Sequence, residues 1–345
     1  MYEKFYAFSE KPFNTTPDSR FFFPSTKHQE ALNSLIYAIN ERKGFVVITG
    51  EIGAGKTTVC RTLLNKLDIN TRVATITNTH LTCKELIAEI LEEFQVNYAP
   101  GTKQKLLSQL NAFLIKQLAA GINVILIIDE AQNLSTKVLE EVRMLSNLET
   151  EKEKLIQIIL VGQPQLKEKL KNIRLEQFKQ RVAVFYHLSS LNRQETQNYI
   201  SHRLKLVSAN GTYDLFNSEA IDLVHQHSNG IPRVINLICD SALLSGYIYD
   251  VKKITEKIID EVIKEKDLGT SPDDATQYAI RHTQYDTRNT QYDIRNTTHA
   301  IYCCPKCKKY STCEIKWERG IKGEEQICCS KCQEFKHCQT NAKKK

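Results

Sequence analysis

The sequence predicts an α/β fold: a parallel sheet with helices on both faces, followed by a helical domain and a small cysteine-rich module. Three observations carry this expectation. Short apolar runs alternate with amphipathic stretches across the first 190 residues. A glycine-rich loop stands between the first of those runs and a helix-like segment. From Asn192 onward the apolar spacing becomes purely helical. Strand patterns alternating with helix patterns are the mark of βαβ units, whose strands lie parallel and buried.

The first apolar run, Phe45 to Thr49, leads straight into GEIGAGKTT, residues 50–58. This is a G-x-x-x-x-G-K-T phosphate cradle, and with the strand before it and a helix after it the sheet reads as that of a P-loop NTPase. Gly50, Gly53 and Gly55 let backbone N–H groups converge on phosphate oxygens with no Cβ in the way. Ala54 and Thr58 complete the loop. Lys56 is expected to reach the β- and γ-phosphates, and the Thr57 hydroxyl to complete a Mg²⁺ shell. A helix from Thr57 to about Leu67 adds the positive end of its dipole.

Further strands are predicted at 72–77, 124–128, 156–161 and 183–188, with helices between them at 83–95, 104–119 and 136–148. Val124-Ile-Leu-Ile-Ile128 reads as a fully buried strand, and Asp129-Glu130 follow at its tip. Neighbouring carboxylates there are costly unless a cation compensates them. Asp129 is placed to hold Mg²⁺ through water. Glu130 is placed to orient and deprotonate an attacking water. In such sheets the phosphate site lies at the carboxyl ends of the strands.

Asn192 with Glu195 forms a capping box for a helix to about Val207. Ser218 to Gln226, Pro232 to Tyr249 and Thr255 to Lys266 supply three more, with Pro232 in the first turn. A four-helix lid after the nucleotide domain is the simplest arrangement. The expected domains are residues 1–190, the α/β nucleotide domain; 191–268, the lid; 269–298, a linker; and 299–345, the cysteine-rich module.

Residues 276–296 repeat a heptapeptide, TQYAIRH, TQYDTRN, TQYDIRN. Its apolar positions fall two and then five apart, unlike a coiled-coil seam. A flexible polar linker is the reading, with a binding role as the alternative. The tail then carries CCPKCKKYSTC (303–313) and CCSKCQEFKHC (328–338), an internal duplication. Cys304, Cys307, Cys329 and Cys332 form two knuckles at near zinc-ribbon spacing, and four thiolates suit tetrahedral Zn²⁺. Two metals or an iron–sulfur cluster are the alternatives, and the choice within Cys303/Cys304 and Cys328/Cys329 stays open. Residues 297–345 hold 11 Lys/Arg against 5 Asp/Glu, so the basic excess of the chain sits in its tail. With Trp317 as the single tryptophan, base stacking is weakly supported and a protein contact is favoured over DNA readout.

At 345 residues and 41% hydrophobic content the chain is long enough for more than one core. No apolar run approaches the ~20 residues that span a bilayer, and the N-terminus lacks a secretion-signal pattern. A cytoplasmic location is expected, with a peripheral position at the inner membrane as the alternative.

Several further stretches point to a family. They are Met1-Tyr2, Lys11-Pro12-Phe13, Thr16-Pro17-Asp18, His28-Gln-Glu-Ala-Leu32, VITGEIGAGKTT (47–58), LIIDEAQNLS (126–135), LSNLET (145–150), IILVGQP (158–164), QRV (180–182) and GIPRVINLICD (230–240). In this order and spacing, residues 1–266 resemble the AAA+ ATPases of the ExeA type, the general secretion pathway protein A family. The resemblance implies that Gln163 senses the γ-phosphate or the attacking water. It implies that Arg181 is an arginine finger reaching the nucleotide of a neighbouring subunit, which makes the active form a homo-oligomer. It gives Arg233 the role of a second sensor, closing over the phosphates. Asn78 is either a restraint on Glu130 or a plain strand-end asparagine. The implied activity is Mg²⁺-dependent hydrolysis of ATP, coupled to assembly of an envelope secretion, pilus or polysaccharide-export apparatus. A DNA-associated helper ATPase of the transposition type is the alternative, and a nucleotide-gated scaffold is the third reading. The cysteine-rich tail departs from the family pattern.

Overall fold

The computed structural model describes residues 1–265 apart from 17, 151–152 and 209–213. The heptapeptide linker and the predicted zinc ligands Cys304, Cys307, Cys329 and Cys332 lie outside the described residues.

Five strands form one parallel sheet: β1 (Phe45–Gly50), β2 (Thr71–Ile76), β3 (Asn123–Ile128), β4 (Gln157–Gly162) and β5 (Val182–Leu188). Their order across the sheet is β2-β3-β4-β1-β5, with every pairing parallel. Each strand lies within one residue of the apolar run that predicts it. The runs are continuous rather than alternating because both faces are covered. The helices along this stretch of chain are α1 (Tyr2–Phe5), α2 (Thr26–Asn40), α3 (Lys56–Leu64), α4 (Cys83–Glu93), α5 (Lys103–Ala119), α6 (Thr136–Leu145), α7 (Pro164–Leu170) and α8 (Glu176–Lys179).

Successive strand residues serve opposite cores. Phe45, Val47, Leu126 and Leu160 pack with helices α4, α5 and α6 through Ile87, Leu110 and Val142. Val46, Ile48, Ile125 and Ile159 pack instead with Leu32 and Leu35 of α2 and Val59 and Leu63 of α3. Each such aliphatic side chain contributes about 1.5–3 kcal/mol by leaving water. Three helices stop two or more residues short of their predicted ends: α3 at Leu64 rather than near Leu67, α4 at Glu93 rather than 95, and α6 at Leu145 rather than 148. In each case the next residues leave the helix in a turn, with the N–H groups of Lys66, Gln95 and Leu148 donating to the carbonyls of Leu63, Glu92 and Leu145.

A helical layer follows, made of α9 (Arg193–Val207), α10 (Ser218–Ser228), α11 (Pro232–Ile248) and α12 (Glu256–Glu265). Asn192 and Glu195 close a reciprocal cap on α9, as their spacing predicts. The start of the chain folds into this layer. Tyr2, Tyr6, Phe8, Phe13 and Phe21 share one core with Tyr199, Leu204, Ile235, Ile238 and Leu243. Arg203 staples the segment down: its Nε donates to the Pro12 carbonyl at 2.6 Å and its Nη2 to that of Asn14 at 3.1 Å. Its guanidinium also stands 4.5 Å from the Phe21 ring centroid, close enough for a cation–π contact. Among the described residues, no helix is long and apolar enough to cross a membrane.

Candidate functional site

The site forms where β1, β3 and β4 end. Beyond Gly50 the chain turns through Glu51 to Gly55 and enters α3 at Lys56. Two of its glycines are required by backbone geometry. Gly53 and Gly55 hold φ of +80° and +98°, the left-handed region that disfavours any Cβ. Space adds to this: a Cβ on Gly53 would stand 2.5 Å from Arg233 Cβ, and one on Gly55 would stand 2.8 Å from His28 Nε2. The loop is thus bare backbone pressed between two other elements.

His28, buried in the first turn of α2, props the loop from behind. Its Nε2 faces the Ala54 carbonyl at 3.0 Å and its Nδ1 faces Ser25 Oγ at 2.7 Å. A carbonyl only accepts, so Nε2 carries the proton and Nδ1 accepts from the Ser25 hydroxyl. Ser25 in turn caps α2 by accepting the His28 N–H. Burial lowers the His28 pKa, against the opposing pull of the Ala54 hydrogen bond.

Lys56 is buried, and its ammonium donates to the carbonyls of Gly50 at 2.8 Å and Glu51 at 2.9 Å. Burial lowers its pKa, while the charges of Glu130 and Asp129 act the other way. Thr57 Oγ1 lies 3.4 Å from Asp129 Oδ2. Burial and the neighbouring Glu130 charge both raise the Asp129 pKa. Two half-buried carboxylates beside an exposed hydroxyl make a hard-oxygen donor set, and it fits a small divalent cation of the Mg²⁺ kind. The bare loop, the helix N-terminus and the buried ammonium likewise fit a polyphosphate.

Glu130 follows in a left-handed conformation, φ +50°. Its Oε2 accepts from the side-chain amides of Gln132 and of Gln163, the latter at 3.1 Å. Gln163 occupies the N-cap position of α7 beyond β4, so the structure brings it to Glu130. Asn78 is exposed and accepts the His80 N–H, an Asx turn.

Arg233, in the first turn of α11, donates its backbone N–H to the Gly53 carbonyl at 3.3 Å. Arg181 is held elsewhere, by Asn147 Oδ1 and by Ser146 Oγ at 3.0 Å, just past the end of α6. The loop, Asp129, Glu130, Gln163 and Arg233 therefore gather in one place, and Arg181 stands on another part of the surface. Sequence reasoning passed over Gln132 and the propping role of His28. Both sit inside motifs already singled out, but their partners come from other elements.

The AAA domain family matches residues 39–170. Over 255 residues, 74% of this chain, the sequence is 42% identical to general secretion pathway protein A of Aeromonas hydrophila. The chain spans about half the length of that relative, 46% of it. Among solved structures, Cdc6p from Pyrobaculum aerophilum is 19% identical, with 72% of this chain and 71% of that one covered at a TM-score of 0.56. The Aeropyrum pernix ORC2 protein, in its ADPNP–ADP complexes, is 13% identical, with 72% of each chain covered and a TM-score of 0.54. The ORC of Drosophila bound to DNA is 15% identical, covering 74% of this chain and 66% of that one at a TM-score of 0.55. At such identities the structural likenesses speak for the fold alone.

Proposed function

The chain belongs to the AAA ATPases of the general secretion pathway protein A family, and from that premise we propose that it binds ATP with Mg²⁺ and hydrolyses it to ADP and phosphate. The observation that carries the reading is the juxtaposition of a buried, carboxylate-flanked Lys56 with a loop whose Gly53 and Gly55 hold left-handed backbone free of any Cβ. Lys56, already stripped of most of its water, exchanges two carbonyl contacts for phosphate oxygens at small cost. Gly50, Gly53, Ala54, Gly55 and Thr58 supply loop amides and the Thr58 hydroxyl. Thr57 and Asp129 would hold Mg²⁺, which supplies charge neutralisation on the terminal phosphates when bound. Glu130 orients a water and takes its proton, and Gln163 reports the state of the γ-phosphate. Arg233 closes over the loop from the helical lid. Arg181 serves the nucleotide of a neighbouring copy, which makes the working form a homo-oligomer.

The turnover is coupled to assembly of an envelope-associated secretion, pilus or export apparatus, a reading supported by the name of the curated relative. The purified chain with Mg²⁺ and ATP should release phosphate, and Glu130→Gln should bind ATP without releasing it. A chain that retains no ATP at any concentration would sink the reading. Trapping partners on the ATP-bound Glu130→Gln chain identifies the assembly. DNA stimulation that falls steeply with salt would move the conclusion to the DNA-associated alternative. The domain limits at 190/191 and 268/269, and Zn²⁺ held by Cys304, Cys307, Cys329 and Cys332, belong to the same proposal. Metal analysis of the full chain tests the zinc.

A further inference from the structure

We propose that Gln132 is a positioning residue for hydrolysis: its side-chain amide ties the Glu130 carboxylate to the backbone at the tip of β4, so that the base and Gln163 move as one unit. This rests on the reading of Glu130 as the base. Both ends of the Gln132 amide are engaged. Its Nε2 donates to Glu130 Oε2, and its Oε1 accepts the Gln163 N–H at 2.9 Å. The Gln163 side chain donates to the same Glu130 oxygen at 3.1 Å. Three side chains and one backbone N–H thereby close a ring that joins the end of β3 to the start of α7. One carboxylate oxygen is occupied by two amides, and the other remains for water.

The ring is built into its surroundings. Gln132 is 9% exposed. Lys169, on α7, donates to the Gln132 carbonyl and, at 2.8 Å, to that of Leu134, holding the turn from beneath. Gly162 leaves the room that Gln132 needs: a Cβ there would lie 2.8 Å from Gln132 Oε1. A change at Gln163, the residue expected to feel the γ-phosphate, is therefore transmitted to Glu130 through two hydrogen bonds to Gln132 as well as directly. A purely structural glutamine, satisfied in the core, would matter to stability and leave the chemical step alone. The two roles separate by kinetics.

The test compares the full chain with Gln132→Met, which keeps length and bulk without the amide, and with Gly162→Ala, which keeps the amide and crowds it. Phosphate release and binding of a fluorescent ATP analogue are measured on each. The expected result for both is a fall in kcat of roughly ten- to a hundredfold, the scale set by misplacing a catalytic group, with KM and analogue affinity held within about threefold. In a Glu130→Gln background, Gln132→Met should change the residual rate no further. Gln132→Met with wild-type kcat beside an inactive Glu130→Gln overturns the inference alone. A parallel loss of kcat and nucleotide affinity in both variants also overturns it, since that is what loosening of the whole site produces. A wild-type chain that turns over no ATP overturns the underlying reading together with this one.

Discussion

Arg233 rests on Gly53. The backbone N–H at the start of α11 meets the loop carbonyl at 3.3 Å, and there is no room for a Cβ between the two residues. The helical layer and the phosphate loop thus touch through one glycine that also needs a left-handed backbone. Gly53→Ala adds the strain of an L-residue at φ +80°, about 1–2 kcal/mol, to a 2.5 Å approach to Arg233. The expected outcome is a lower melting temperature together with nucleotide affinity weakened at least tenfold. An Ala variant that binds an ATP analogue like the wild type would remove this contact from the site.

Lys56 separates binding from stability. Its ammonium is buried against carbonyls, and the loss of water on burial outweighs the pull of the Glu130 and Asp129 charges. Lys56→Met should leave the melting temperature of the nucleotide-free protein unchanged or raised, and should abolish its upward shift on adding ATP and Mg²⁺. A wild-type shift retained in the variant would count against the role of Lys56.

His28 makes the loop pH-sensitive. Burial lowers its pKa, so the folded state favours the neutral ring. The unfolded chain then binds more protons than the folded one just below the ordinary histidine value of about 6.5. Its contribution is complete above that value and is lost progressively as pH falls below it and through the lowered folded-state pKa. His202 and His225 shift in the same direction, so the contrast of interest is between wild type and His28→Gln. The difference in urea midpoint between them should shrink from pH 8 to pH 5.5. A difference independent of pH would mean that His28 acts by packing alone.

Arg181 should act across a subunit boundary. Asn147 and Ser146 hold its guanidinium on a surface apart from the loop. Specific ATPase activity is expected to rise with protein concentration, and Arg181→Ala to lose roughly a thousandfold in kcat at unchanged ATP affinity. Specific activity flat across a wide concentration range would argue that one protomer suffices.

The α9 cap offers a control on stability. Asn192 accepts the Glu195 N–H at 2.8 Å while Glu195 accepts that of Asn192 at 3.0 Å. Asn192→Ala should cost about 1 kcal/mol by chemical denaturation and leave nucleotide binding intact.

What the sequence makes legible, and what it hides, divides by range of interaction. The strands are legible because parallel, doubly covered strands demand unbroken apolar runs, and Val124 to Ile128 is such a run. The loop is legible because glycine spacing, lysine and hydroxyl act within nine residues of chain. Helix α2 escapes periodicity reading, although it carries Leu32 and Leu35 into the sheet core. Gln132 escapes because its meaning depends on Gly162 and Gln163, brought close by the pairing of β3 with β4. Arg181 is recognisable by resemblance, but its anchor at Asn147 is a tertiary fact. The aromatic opening segment carries no local sign that its partners lie on α9 and α11.

That segment has a bearing on how the protein is made. Tyr2 bonds Asp240, 238 positions further on, and the Pro12 carbonyl meets Arg203 across a separation of 191. During synthesis these aromatics emerge before the strands and stay without their partners on α9 and α11 while the sheet is translated. The core they share with the helical layer is complete only after α11 has been made. The aromatic segment is therefore exposed apolar surface until its helical partners have been made.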